Sequence, residues 1–138
     1  MKILGLHYYD VDKEMITFNV NRNLYDYFSS TPPNYGDVNS RELMVEKYQQ
    51  GQLEAIYLFP IQLGGEEVEL NTVYVPIGVS AMKDKIDNTF INYAHEGLIN
   101  KLKVKPVYKG NSFIPSKIVY EGSHSNRDGN ISLELDIW

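Results

Sequence analysis

The chain predicts an α+β fold: a mainly antiparallel sheet of about six or seven strands, with one long amphipathic helix (80–97) on a face and a second short helix (40–50). Three observations carry this reading. Several short runs alternate apolar and polar residues between turn signals, as half-buried strands do. The segment 80–97 instead repeats its apolar residues at spacings of three and four. At 138 residues the chain suits one domain, 1–138, able to bury roughly two thirds of its unfolded surface.

Taken in order, Lys2 to Tyr9 and Glu14 to Val20 read as a hairpin across the polar turn Asp10-Val11-Asp12-Lys13. Leu24, Tyr25, Tyr27 and Phe28 suit a helical turn, and 29–37, with Pro32-Pro33 and Gly36, a loop. Asn39 or Ser40 caps the short helix and Gly51 stops it.

Leu53 to Val75 reads as a hairpin turning at Gly64-Gly65. In a two-residue turn Ile61 faces Val68, Phe59 faces Leu70 and Tyr57 faces Thr72. Pro60 lacks an N–H, which makes 53–63 an edge strand and 67–76 an interior one. This register puts Ala55, Tyr57, Phe59, Ile61, Val68, Leu70 and Tyr74 on one continuous apolar face. The other face is apolar only at Ile56, Leu58, Val73 and Val75, so the base is sandwiched and the tip half-solvated. That tip, with Gln62, Glu67, Glu69 and Asn71, is a candidate partner-docking surface.

In the long helix Ser80 is the expected N-cap and Gly97 the stop. Met82, Ile86, Phe90 and Tyr93 form the apolar stripe; Lys83, Asp84, Asp87 and Asn88 belong to the wet side. Leu102, Val104, Pro106 and Tyr108 then alternate with Lys101, Lys103, Lys105 and Lys109, a lysine row balanced by Glu134 and Asp136 on a neighbouring strand. A strand at 117–121, a turn at Asp128-Gly129 and a strand with Ile131, Leu133, Leu135 and Ile137 inward complete the chain.

Composition excludes more than it assigns. Without cysteine there are no disulfides, thiolate metal sites or cysteine nucleophile. The net charge of −5 and pI of about 5.1 argue against nucleic-acid binding, which needs clustered cations. No apolar run reaches the length of a membrane span or a secretory leader, so the expectation is a cytoplasmic chain or a mature fragment with no membrane partner. Asp10, Asp12 and Glu14 lack the glycine and distal glutamate of a calcium loop. His7, His95 and His124 have no metal-binding spacing, and no nucleophile, phosphate-loop or dinucleotide motif is present. No catalytic residue, metal or cofactor is therefore expected.

One loop has site-like chemistry. Gly110, Asn111 and Ser112 offer backbone N–H groups between Lys109 and Lys117, the makings of an anion-binding nest. Enzyme activity stays open, but an acidic chain with 11 tyrosines and no catalytic motif reads first as a non-catalytic protein-interaction module, such as an immunity or accessory protein that binds another protein. The alternatives are a ligand-binding protein or enzyme with a pocket between helix and sheet, and a self-associating domain in which Trp138 needs a groove.

Overall fold

Both described helices stop where a glycine follows the last turn. The structure, a computed structural model, describes residues 34–138 and, ahead of them, the strands Leu6–Tyr9 (β1) and Met15–Phe18 (β2). Helix α1 (Arg41–Gln49) opens on Ser40, whose hydroxyl accepts from the Leu43 N–H at 3.2 Å. Gly51 follows in the left-handed region (φ 75°), and the Gln52 N–H returns to the Lys47 carbonyl. Helix α2 (Val79–His95) ends the same way: Gly97 has φ 74°, with Leu98 N–H on the Tyr93 carbonyl and Gly97 N–H on that of Ala94. This is a six-to-one plus five-to-two closure.

The start of α2 differs from expectation. Its N-cap is Gly78 rather than Ser80, and no cap side chain accepts its first N–H groups. Glu54, from strand β3 (Leu53–Tyr57), does so instead. Its Oε1 accepts from Ser80 N at 2.7 Å and from Gly78 N at 3.1 Å. A carboxylate there also opposes the positive end of the helix dipole.

β3 pairs antiparallel with β4 (Thr72–Pro76). The expected register holds from Leu53↔Pro76 through Tyr57↔Thr72. Beyond that the long hairpin does not form. Ile61–Leu63 and Glu69–Asn71 are short 3-10 turns, so Ile61 does not face Val68 and Phe59 does not face Leu70. The cause is local. Pro60 starts the first turn at φ −58°, Gly64 ends it at φ 102°, and Gly65 lies so close to the backbone that a Cβ there would sit 2.2 Å from the Phe59 carbonyl oxygen. The glycines serve a compact loop, 58–71, rather than a hairpin turn.

The sheet itself is also divided. Strands β5 (Lys101–Tyr108), β6 (Pro115–Ser123) and β7 (Asn130–Asp136) form an antiparallel sheet in that order, separate from the β3-β4 ribbon. Residues 34–138 thus hold five strands in two sheets, not one sheet of six or seven. β4 is not an interior strand: β3 is its only partner among the described strands. The ribbon joins the core by its side chains instead, with Val73 and Val75 packing among α2, β6 and β7 residues. β1 and β2 pair antiparallel from Leu6↔Phe18 to Tyr9↔Met15, shorter than the expected arms. The acidic turn at Asp10, Asp12 and Glu14, the segment around Leu24 and the Pro32-Pro33 part of the loop lie outside the described residues.

The main core places Ile86 and Phe90 of α2 on Ile118 and Tyr120 of β6 and on Leu133 and Leu135 of β7. Phe90 stacks on Tyr120 with ring centroids 5.3 Å apart. Gly122 allows this approach, since a Cβ would come within 3.0 Å of the Phe90 ring. A smaller cluster of Val38, Met44, Leu53 and Ile114 lies beneath α1. The ribbon base is therefore sandwiched as expected, but its main-core face is Ile56, Leu58, Val73 and Val75, while Ala55 and Tyr57 are exposed. Among the described residues no helix is long and apolar enough to cross a membrane.

Candidate functional site

Lys83, expected on the wet side of α2, is 2% exposed. Its ammonium lies 3.0 and 2.9 Å from the two carboxylate oxygens of Asp87, one helical turn on. The Tyr120 hydroxyl donates to the same Asp87 Oδ1 at 2.5 Å, and the Tyr120 ring lies 5.5 Å from the Lys83 nitrogen. The i,i+4 spacing sets the ion pair on one helix face. Alternation along β6 carries Tyr120 inward below it. Desolvation lowers the Lys83 pKa, opposed by the nearby Asp87 charge. Burial, reinforced by Asp87, raises that of Tyr120 far above the usual phenol range.

Lys83 and Asp87 of this triad line a cleft of about 260 Å³ between α2 and the loop 58–71. Ser80, Lys83, Asp84 and Asp87 line its helix side; Tyr57, Pro60 and Gln62 line the other. The volume falls just below the roughly 300–1,000 Å³ usual for small-molecule pockets. Nothing in the sequence patterning marked this cleft. The Lys83/Asp87 spacing is visible in the sequence, but it reads as a solvated pair until Tyr120 is placed beneath it.

Asn71 ties the two ends of the loop together. Asn71 Oδ1 accepts from the Phe59 N–H at 2.8 Å, and Asn71 Nδ2 donates to the carbonyls of Phe59 (3.1 Å) and Glu66 (3.0 Å). Of the four residues expected to form a docking tip, Asn71 is thus committed inside the loop and Gln62 lines the cleft. Glu67 and Glu69 stay exposed, and Glu69 pairs with Arg41 of α1 at 3.1 Å across an open surface. The same loop exposes Ile61, Val68 and, at 99%, Leu70.

The 109–117 loop is assembled around internal contacts. Lys109 donates to the Trp138 carbonyl at 2.6 Å and lies 4.9 Å from its ring. Ser112 is buried; its hydroxyl donates to the Tyr35 carbonyl at 2.8 Å and accepts from the Ile114 N–H. The Ser112 and Phe113 N–H groups go to the carbonyls of Lys109 and Val38. Lys117 sits apart on β6, 3.6 Å from Glu134. Gly110 and Asn111 remain exposed at the tip, with Gly110 at φ 53°. Trp138 fills an intramolecular groove, its indole N–H on the Ile114 carbonyl at 3.1 Å and its ring edge-on to Tyr35.

The lysine row is exposed on β5, whose outer edge no described strand pairs. Its cross-strand neighbours belong to β6: Glu121 opposite Lys103 and Val119 opposite Lys105. Glu134 and Asp136 lie one strand further, beside Lys117. Lysines on an open strand discourage edge-to-edge pairing. Among the described residues no cluster of His, Asp or Glu is suited to a metal ion. No family model, curated protein or solved structure matches the chain.

Proposed function

We propose that this chain is a non-catalytic protein-interaction module, an accessory or immunity-type protein that docks another protein through the loop 58–71. The observation that carries the reading is Leu70: a leucine 99% exposed on a loop pinned by Asn71. An isolated exposed leucine means little. Here Ile61 and Val68 share the loop, and Glu66, Glu67 and Glu69 surround it. Burying Leu70 in a partner's socket would recover about 1.5–3 kcal/mol of transfer free energy. A loop already fixed in shape loses little entropy on binding. The acidic rim selects a partner with lysine or arginine around that socket and speeds its approach.

A photo-crosslinking residue placed at Leu70 tests this, with captured protein identified by mass spectrometry and its affinity then measured by calorimetry. Leu70→Ala should weaken binding at least tenfold, and Glu67→Lys should slow association in low salt. Equal affinity for Leu70→Ala and the parent chain would place the interface elsewhere.

A further inference from the structure

We infer that the cleft between α2 and the loop 58–71 binds a small neutral polyhydroxyl molecule, a monosaccharide or a polyol of similar size. The Lys83 ammonium has three donors, and the only acceptors it meets among the described residues are the two oxygens of Asp87. A buried donor without an acceptor is costly, so the Lys83 ammonium has room for one further acceptor oxygen. Asp84 makes no hydrogen bond or ion pair with another described residue, and its exposed carboxylate is open to a donor. The Ser80 hydroxyl and the Gln62 amide, which can donate and accept, are uncommitted as well among the described residues.

The mixed lining decides the ligand's charge. An anion would meet Asp84 and Asp87; a cation would meet Lys83. Hydroxyl groups satisfy both sides, because each donates and accepts. Tyr57 and Pro60 add an apolar wall against which the C–H face of a sugar ring can rest. This site does not depend on the docking role of Leu70, which lies elsewhere on the loop and does not line the cleft.

The test is a heteronuclear NMR titration with glucose, galactose, mannose and N-acetylglucosamine, alongside glucosamine and glucuronate as charged counterparts. At least one neutral sugar should shift the amides of Gln62, Ser80 and Asp84 saturably in the millimolar range. Gln62→Ala and Asp84→Ala, both at exposed positions, should each weaken binding about two- to tenfold with the unfolding midpoint unchanged. Three results would overturn the inference: no saturable shift with any neutral sugar, tighter binding of glucosamine or glucuronate, or undiminished binding in the Gln62→Ala/Asp84→Ala double variant. A crystal soaked in the sugar that shows only water in the cleft would count against it equally.

Discussion

The Tyr120 hydroxyl donates to Asp87 Oδ1 at 2.5 Å, tying the middle strand of the three-stranded sheet to the helix that covers it. Lys83 shares that carboxylate. The contact between helix and sheet, otherwise apolar, therefore holds three linked polar groups beside a cleft, two from α2 and one from β6. Buried ion pairs contribute little to stability compared with apolar residues of the same shape, yet breaking one is expensive.

That asymmetry gives the first prediction. Asp87→Ala leaves a buried ammonium without its counter-charge and should cost about 3–5 kcal/mol in urea unfolding. Replacing the whole triad, as Lys83→Met/Asp87→Leu/Tyr120→Phe, should return stability to within about 2 kcal/mol of the parent or above it. Sugar binding should nevertheless be lost.

Alkaline stability gives the second. Burial raises the Tyr120 pKa above its ordinary 10.0, so the folded chain keeps a proton that the unfolded chain releases. Its contribution is complete below pH 10 and declines as pH rises beyond that. Lys83 acts in the opposite direction. Desolvation lowers it from 10.5, so between its folded value and 10.5 the unfolded chain binds more protons and stability rises with pH. Denaturation across this range should show a rise towards pH 10 and a fall beyond. Lys83→Met should remove the rise. Tyr120→Phe should shrink the fall to what the other tyrosines give, including Tyr108, which burial also raises.

A third concerns the loop. Asn71→Ala removes three hydrogen bonds to Phe59 and Glu66 and should cost about 1–3 kcal/mol. Hydrogen exchange should show the Phe59 amide losing protection while amides of β6 keep theirs.

The two adjacent glycines separate cleanly. Gly65→Ala forces a Cβ against the Phe59 carbonyl and should cost about 1–3 kcal/mol, as overpacking does. Gly64→Ala meets open space but a left-handed backbone, and should cost about 1–2 kcal/mol. Thermal unfolding of both variants checks the costs and the Phe59 amide tells the mechanisms apart: Gly65→Ala should distort the loop and Gly64→Ala should not.

The parts of the fold legible in the sequence were those decided by neighbours along the chain. Gly51 and Gly97 close their helices, Ser40 caps α1, and strict alternation placed Leu133, Leu135 and Ile137 inward. Long-range competition hid the rest. Gly64-Gly65 has a hairpin signature, but Pro60 and Asn71 favour a self-bonded loop over a ladder. Lys83 looked solvated because its charge is visible in the sequence and its partner on β6, 37 positions away, is not. The cleft arises only where loop and helix meet, so no local pattern announced it.

The carboxylate of Glu54 has a kinetic meaning. The first turn of α2 takes its acceptor from a strand 26 positions upstream of Ser80, so a peptide holding the helix alone lacks that cap. Helix nucleation is already unfavourable in isolation. Here it is completed by ribbon closure, a non-local event of the kind that slows folding. Glu54→Ala should therefore slow refolding as well as speed unfolding, making the helix start and the β3-β4 pairing parts of one folding nucleus.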